Sequence, residues 1–286
     1  MRPIADQPIL LTGATDGLGR AVATELAAAG ASLLLHGRDW RKGADTLREI
    51  RDRTGNADVR WYRADLSSLR DTASLAERVA ESCDRLDVMV NNAGIGMTTA
   101  GDGRRMESQD GYELRFAVNY LAPYLLTRRL DPVLRRSAPA RVINVASAGQ
   151  VPIDFADVML EQSYDGARAY RQSKLALIMF TLDLAAELAG SGVTVNCLHP
   201  AMFMPTTVLP GRTQPRNFVP DGLNATMRLI ASPALDAVTG RYFDGQREAT
   251  ALAQAYDRHA RELLRDLSEQ LTALVGSQLA AVSAGW

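Results

Sequence analysis

Short apolar runs alternate with amphipathic stretches along most of this chain, and this alternation limits the fold more than any other feature of the sequence. The apolar runs predict six strands, at residues 9–11, 32–35, 59–62, 86–90, 141–145 and 193–198. Apolar residues at helical spacing predict helices at residues 18–29, 40–53, 67–83, 112–136 and 168–189. Because strands separated by helices pair in parallel through right-handed crossovers, the sequence predicts a doubly wound α/β fold with helices on both faces of the sheet.

Length and charge narrow the class of protein. A chain of 286 residues is long enough for one well-buried domain, so residues 1–286 are predicted to form a single domain. Within it, residues 200–235 read as a loop region beside a site, and residues 249–282 as an amphipathic helical tail. A formal net charge of -1 gives no field that would attract nucleic acid or an anionic membrane, so the expected partner is a small molecule.

Three further expectations concern the compartment and the element ends. Cys83 and Cys197 cannot supply a disulfide framework, which favours a reducing cytoplasm. The apolar runs are far shorter than a bilayer requires, so no membrane span is predicted. Ser67 is predicted to cap the third helix, and Gly30 and Gly190 are predicted to end helices in the left-handed conformation.

The segment TGATDGLG, residues 12–19, follows the first predicted strand and opens the first helix. Gly13 permits a tight turn, Gly17 lets the backbone approach a pyrophosphate, and Gly19 allows close packing where the helix dipole faces the phosphates. The spacing G-x-x-x-G-x-G differs from G-x-G-x-x-G, so an ordinary glycine turn is the alternative. Its position between a strand and a helix favours a dinucleotide.

The end of the second strand indicates which dinucleotide. An acidic residue would accept from a free 2'-hydroxyl about 20 residues after the glycine turn. Here Gly37 and Arg38 stand at that distance, and a guanidinium suits a 2'-phosphate. The sequence therefore predicts NADP(H), although Asp16 and Asp39 nearby would weaken this preference and Arg38 could be a solvated charge.

Two more strand ends carry polar or small residues. Asp65 and Leu66 end the third strand, where a carboxylate could accept from an adenine amino group. Asn91, Asn92, Ala93 and Gly94 open the loop after the fourth strand, at the edge where cofactors sit in open α/β sheets. Either group of residues could be only a turn or a cap, but both groups lie on the same predicted edge of the sheet.

The segment Tyr170-Arg171-Gln172-Ser173-Lys174 places a phenol and an ammonium four residues apart on one helix face. A carbonyl that accepts a hydride needs a proton donor at its oxygen, and an ammonium one turn away would lower the pKa of the phenol. Ser147 ends the fifth strand and could face the same cavity, with a strand-end cap as the alternative. Asn119 lies inside a predicted helix, where a packing or water-linking role explains an amide better than helix propensity does.

In this order, the motifs TGATDGLG, Asp65, NNAG, Asn119, Ser147 and YRQSK resemble those of the short-chain dehydrogenase/reductase family, over residues 8–207. The resemblance implies a Rossmann-type fold and hydride transfer at C4 of a nicotinamide. It also implies that Tyr170 is the catalytic acid/base, that Lys174 holds the nicotinamide ribose, that Ser147 binds the substrate oxygen and that Asn119 supports a proton relay. The residues expected to bind the cofactor are Gly13, Thr15, Asp16, Gly17, Leu18, Gly19, Arg38, Asp65, Leu66, Asn92, Ala93, Gly94, Tyr170, Lys174, Pro200 and Thr206.

Some departures from the family pattern point to a branch and a substrate. Ser147 and Tyr170 are 23 residues apart, a spacing that resembles the retinol-dehydrogenase-like and protochlorophyllide-reductase-like branches, and the insertion at 148–169 is expected to form one pocket wall. His199-Pro200-Ala201 stands where Pro-Gly is usual, so the register of Thr206 against the carboxamide is open. Several apolar residues follow Ala201, and they would make an adaptable lid for a bulky hydrophobic ketone or alcohol, or would simply pack on the domain. They are Met202, Phe203, Met204, Val208, Leu209 and Phe218.

The predicted function is therefore an NADPH-dependent oxidoreductase acting on C=O or CH–OH groups. The alternatives are an NADP(H)-binding regulatory or scaffold protein and, with less chain to support it, an epimerase or dehydratase. The three histidines are isolated from one another, so no metal site is predicted. The helices at 112–136 and 168–189 would form the dimer surface implied by the family, giving a dimer or tetramer unless the tail covers it.

Overall fold

One sheet organises the chain. The computed structural model describes residues 1–97, 104–201 and 219–283, and beyond residue 273 only the backbone. The strands are β1 (Pro8–Thr12), β2 (Ser32–Gly37), β3 (Val59–Arg63), β4 (Val88–Asn91), β5 (Ala140–Val145), β6 (Val193–His199), β7 (Arg241–Asp244) and β8 (Arg247–Ala249). Their order is β3-β2-β1-β4-β5-β6-β7-β8, with β1 to β7 parallel and β8 antiparallel to β7. The chain reverses direction across the sheet between β1 and β4, the switch point at which such folds bind ligands.

Helices connect the strands and cover both faces. They are α1 (Gly17–Ala28), α2 (Trp40–Thr54), α3 (Leu69–Ser82), α4 (Leu114–Phe116), α5 (Ala122–Arg136), α6 (Gly166–Glu187), α7 (Val219–Ala231) and α8 (Arg258–Ser283). A π-helical turn, Ala117–Leu121, joins α4 to α5. No helix in the described part of the chain is long and apolar enough to span a bilayer.

Alternation along the strands divides the apolar side chains between two cores. In β1, Leu10 packs on one face of the sheet, against α3, α5 and α6, whereas Ile9 and Leu11 pack on the other, with α1 and α7. All three side chains are fully buried. Because both faces are covered, the strands read as continuous apolar runs in the sequence, as is typical of parallel sheets.

The helix ends follow local chemistry. Asp16, Asp39 and Asp165 each accept hydrogen bonds from the first backbone N–H groups of the helix that follows. Gly30 and Gly190 adopt the left-handed conformation, with φ of +83° and +79°, as predicted. The predicted cap of α3 is wrong by one residue, because the hydroxyl of Ser68, not Ser67, accepts from the N–H of Asp71.

The structure corrects the sequence-based elements in three places. Residues 200–235 were predicted as a loop region, but Val219–Ala231 within it form α7. β7 and β8 were not predicted. Residues 249–257, predicted as part of a helical tail, contain the end of β8 and a 3-10 turn at Ala253–Tyr256, and the helix begins only at Arg258. α8 then packs beside α5 and α6, where Ser268 bonds to Tyr120 (2.6 Å) and Arg265 pairs with Asp183 (2.9 Å).

Candidate active site

The predicted site residues converge on the carboxyl edge of the sheet. Gly13 follows β1, Arg38 follows β2, and Asn92 follows β4. Ser147 and Pro200 follow β5 and β6 on the same edge. A parallel sheet brings these strand ends together, although up to about two thirds of the chain separates them.

The glycine turn leaves no room for side chains. Gly13 and Gly17 have φ of +70° and +49°, which only glycine adopts freely. A Cβ on Gly19 would lie 2.0 Å from the Gly13 carbonyl oxygen, so the turn folds onto the start of α1. The N-terminus of α1 and the bare backbone form a cradle that fits the pyrophosphate of a dinucleotide. The Thr15 side chain packs against the end of β2, because its Cγ2 is 3.1 Å from the Cβ position of Gly37.

The loop after β4 is bonded directly to the glycine turn. The Asn92 side chain donates to the carbonyl oxygens of Thr12 (2.9 Å) and Gly13 (3.1 Å). The Thr12 hydroxyl in turn accepts from the backbone N–H groups of Asn92 and Ala93, both at 3.0 Å. Thr12 therefore joins the two loops, a role that the sequence reading, which treated Thr12 only as the start of the turn, did not assign.

His36 is a second residue whose role sequence reasoning missed. Its Nδ1 accepts from the N–H of Gly13 (3.4 Å), and its Nε2 lies 3.2 Å from the carbonyl oxygen of Ala64. Burial lowers the pKa of His36 to about 4, so the ring is neutral and bridges β2 to the ends of β1 and β3. Its position at the end of β2, 23 residues from Gly13, was the available signal.

Acid should weaken the fold through His36. Because the ring stays neutral in the folded state while the unfolded chain binds a proton near pH 6.5, folding loses stability as the pH falls from about 6.5 to about 4. The loss over this range is about 3 kcal/mol. Urea unfolding at pH 7 and pH 5 should show a smaller pH dependence for His36→Gln than for the wild type. The matched control is His259→Gln, at an exposed histidine, and an unchanged pH dependence in His36→Gln would contradict the assignment.

The aspartates near Arg38 are already engaged. The Asp39 carboxylate accepts from the N–H groups of Arg41 (2.8 Å) and Lys42 (3.1 Å), which lowers its pKa. The Asp16 carboxylate accepts from the N–H of Gly17 at 2.7 Å. Arg38 itself is exposed, and its carbonyl oxygen accepts from Nε of Arg63 at 3.2 Å, which brings a second guanidinium to this corner.

The other predicted cofactor residues divide by what their side chains do. Leu18 and Leu66 are buried in the two cores, so only their backbones remain for a ligand. The Asp65 carboxylate accepts from the N–H (3.0 Å) and hydroxyl (2.8 Å) of Ser67, which closes a turn before α3. Pro200 is buried at the end of β6, and Thr206 lies outside the described residues.

Ser147 and Tyr170 meet in front of the sheet edge. The Ser147 hydroxyl accepts from the N–H of Gly149 at 3.0 Å and faces the Tyr170 phenol. Burial raises the pKa of Tyr170, and the interaction of the phenol with Ser147 offsets part of that increase. The phenol is therefore protonated at neutral pH and able to donate.

Lys174 lies beside the phenol, but the pKa of the phenol differs from the prediction. The Nζ of Lys174 is 5.9 Å from the Tyr170 ring centroid and donates to the carbonyl oxygen of Val145 at 2.8 Å. Burial lowers the pKa of Lys174 to about 8. The predicted lowering of the Tyr170 pKa is not what the structure gives, because burial of the phenol raises it.

Asn119 connects the loop after β4 to the catalytic helix α6. It lies in the π-helical turn, a form common at functional sites. Its Oδ1 accepts from the N–H of Ile95 (2.7 Å), and its Nδ2 donates to the Ile95 carbonyl (3.0 Å) and the Ser173 hydroxyl (3.0 Å). The Cβ position of Gly94 is 3.1 Å from this Oδ1 and 3.5 Å from Nζ of Lys174. The structure thus brings Asn119, Gly94 and Lys174 together.

A cradle for a pyrophosphate and a protonated phenol on one sheet edge are typical of nicotinamide-dependent oxidoreductases that act on CH–OH or C=O groups. A family model described as short chain dehydrogenase matches residues 7–216, and the chain belongs to this family. Mouse retinol dehydrogenase 13 is 37% identical, over 99% of this chain and 87% of that protein. Human retinol dehydrogenase 14 is 34% identical, over 93% of this chain and 86% of that protein. Both place the chain in the retinol-dehydrogenase-like branch.

Solved structures agree with the fold. An uncharacterized protein from Mycobacterium paratuberculosis superposes with a TM-score of 0.75 at 29% identity and covers 96% of both chains. The NADP complex of RhlG from Pseudomonas aeruginosa superposes with a TM-score of 0.65 at 28% identity, over 85% of this chain and 97% of that chain. Among the described residues, no group of three or more His, Cys, Asp or Glu side chains could hold a metal ion.

Proposed function

We propose that this protein is an NADPH-dependent oxidoreductase that reduces a bulky hydrophobic ketone or aldehyde, or oxidises the corresponding alcohol. The observation that carries the proposal is the Tyr170 phenol, which faces Ser147 and lies beside Lys174, on the same sheet edge as the glycine turn. A protein that only binds a dinucleotide does not need a proton donor at this position.

The nicotinamide, when bound, supplies or accepts the hydride. The chain's own residues handle the proton. Tyr170 holds a proton at its phenol oxygen and gives it to the substrate oxygen as negative charge develops there. Ser147, whose oxygen accepts from Gly149, would donate its O–H to the substrate oxygen and so place that oxygen beside the phenol. Lys174 would hold the nicotinamide ribose, and Asn119 would support the return of a proton to Tyr170.

The proposed preference for NADPH is supported by the charges at the end of β2. Arg38 and Arg63 are both exposed there, and Arg41 and Lys42 follow on the first turn of α2. The Asp16 and Asp39 carboxylates each cap a helix through one oxygen, and the four cationic side chains at this corner outnumber them. The RhlG structure, a relative in fold, was solved with NADP.

Replacing Arg38 should change the choice of cofactor. A hydrogen bond to a charged group contributes about 1.5–3 kcal/mol, so Arg38→Ala should weaken NADPH binding about 10- to 100-fold. NADH binding should change little, because NADH has no 2'-phosphate. Titration of both cofactors by fluorescence measures this. Arg48→Ala, at an exposed arginine on α2 that pairs with Asp45, is the matched control, and equal loss of both cofactors in Arg38→Ala would count against the proposal.

A bulky hydrophobic substrate is supported by the relatives. The two relatives at 34% and 37% identity are named as retinol dehydrogenases. A cavity of about 470 Å³ lies beside the start of α6, and its lining is mixed, with three apolar residues of the insertion, Val151, Pro152 and Ile153, and four charged residues, Asp154, Asp165, Arg168 and Arg171. The side chains proposed for an apolar lid lie outside the described residues.

The test is NADPH consumption by the purified protein over a panel of small, aromatic, polyene and polycyclic aldehydes and ketones. Turnover that rises with apolar size would support both the reaction and the substrate class. Turnover confined to small polar carbonyls would reject the substrate class alone. Intact NADPH binding with no turnover on any compound would favour the second candidate, an NADP(H)-binding regulatory protein.

A further inference from the structure

A buried ionic cluster lies behind the loop that follows β4. The side chains of Glu113 and Arg115 are fully buried, and Nη1 of Arg115 is 3.7 Å from Oε1 of Glu113. The hydroxyl of Tyr164 accepts from Nη1 of Arg115 at 2.6 Å and donates to Oε1 of Glu113 at 3.2 Å. Burying two charges has a large desolvation cost, so such a cluster is weak evidence for a role in stability alone.

Arg115 also donates hydrogen bonds to the loop that follows β4. Its Nε donates to the carbonyl oxygen of Gly96 at 2.9 Å, and its Nη2 donates to that of Met97 at 2.8 Å. Asn119, one helical turn further on, holds both backbone groups of Ile95. Three consecutive residues after Gly94 are therefore held by side chains from one helical segment.

The other end of the cluster lies at the start of α6. Tyr164 stands two residues before Gly166, the first residue of the helix that carries Tyr170 and Lys174. A Cβ on Gly166 would lie 2.9 Å from the Met97 carbonyl oxygen and 3.5 Å from Nη2 of Arg115. The loop, the guanidinium and the helix start are thus in direct contact.

We propose that Arg115, supported by Glu113 and Tyr164, is a positioning residue that fixes residues 94–97 against α6 and so sets the separation between Gly94 and Lys174. This inference deepens the proposed function and rests on it. Gly94 is expected to contact the cofactor, and its Cβ position lies 3.5 Å from Nζ of Lys174. A loosened cluster would let the loop move away from the helix, which would misplace the cofactor relative to Tyr170 and Lys174.

The mildest disturbance is Tyr164→Phe, which removes one hydroxyl and its two hydrogen bonds while keeping the ring. Because misplacing a reacting group by about 1 Å can lower a rate about 100-fold, we expect a drop in kcat of about tenfold and several-fold weaker NADPH binding. Arg115→Met should have a larger effect on both. A loosened Lys174 would be more hydrated, so the high-pH limb of the rate should also move upward from about pH 8.

Arg141→Met is the matched control. Arg141 is also a buried arginine that donates to backbone carbonyl oxygens, those of Leu229, Ile230 and Ser232, but it lies at the amino end of β5, on the opposite edge of the sheet. It should lower the melting temperature while leaving NADPH affinity and the pH profile unchanged. Should Arg115→Met fail to fold, Tyr164→Phe alone decides.

The outcomes separate the two proposals. If Tyr164→Phe lowers only the melting temperature, as Arg141→Met does, and NADPH affinity, kcat and the pH profile stay within twofold of wild type, the positioning role is wrong. If the wild type turns over no carbonyl compound, the proposed function fails, but NADPH fluorescence still tests the loop. Weaker NADPH binding in both cluster variants, with wild-type binding in Arg141→Met, would support the positioning role.

Discussion

Tyr170→Phe is expected to lower the rate of carbonyl reduction by about 10²- to 10⁴-fold, the range that general acid catalysis contributes. The substitution removes the phenol oxygen that faces Ser147 and leaves the ring in its place beside Lys174. NADPH binding should persist, because the glycine turn and the loop after β4 are built without Tyr170. The measurements are steady-state NADPH consumption and NADPH fluorescence on the same samples.

The control for this experiment is Tyr62→Phe. This variant also removes a tyrosine hydroxyl. The Tyr62 hydroxyl donates to Ser82 at 2.6 Å, at the end of α3 that faces away from the site. A Tyr170→Phe protein that keeps more than about a tenth of the wild-type rate would show that another group donates the proton. Loss of NADPH binding would instead make Tyr170 part of the cofactor site only.

Lys174 should impose a pH limit on the rate. Burial lowers its pKa to about 8, so its positive charge is present below that pH and is lost above it. Because burial raises the pKa of Tyr170, the phenol keeps its proton through the same range. Reduction should therefore be level below about pH 7 and fall above about pH 8. In Lys174→Met the side chain has no charge at any pH, so the rate should be about 100-fold lower and the fall above about pH 8, the high-pH limb, should disappear.

Lys174→Arg tests the assignment of the limb. A guanidinium stays protonated throughout, so the fall above pH 8 should disappear, while the rate drops because a planar fork cannot replace a compact ammonium. Lys42→Arg is the natural control, since Lys42 and Lys174 are the two lysines of the chain. A limb near pH 8 that survives in Lys174→Arg would belong to another group.

The parallel sheet and most candidate site residues could be predicted from the sequence, and there is a physical reason for this. Parallel strands buried on both faces read as apolar runs. Glycine and serine at their carboxyl ends, and tyrosine and lysine on α6, have chemistry that packing does not require. β7 and β8 were missed because strands of four and three residues are too short to show a period. The direction of the Tyr170 pKa was wrong because spacing on a helix does not reveal burial.

Other parts of the site depend on contacts between distant segments. His36 is isolated in the sequence, and only the folded sheet places its ring between Gly13 and Ala64. Likewise, the sequence pattern does not show that Glu113 and Arg115 are buried. Their burial depends on contacts with Tyr164 and with the backbone of residues 96 and 97. The scarcity of lysine was a usable signal, since a chain that places arginine at nearly every basic position retains lysine at 174.

That scarcity, combined with the burial of Lys174, makes the protein convenient to label. Lys174 is 5% exposed, whereas Lys42 is exposed on the first turn of α2, beside Arg38. An amine-reactive dye would therefore attach to Lys42 in preference to the other lysine side chain. The dye would lie next to the corner proposed for the 2'-phosphate, where its emission would report the arrival of NADPH without any substrate present.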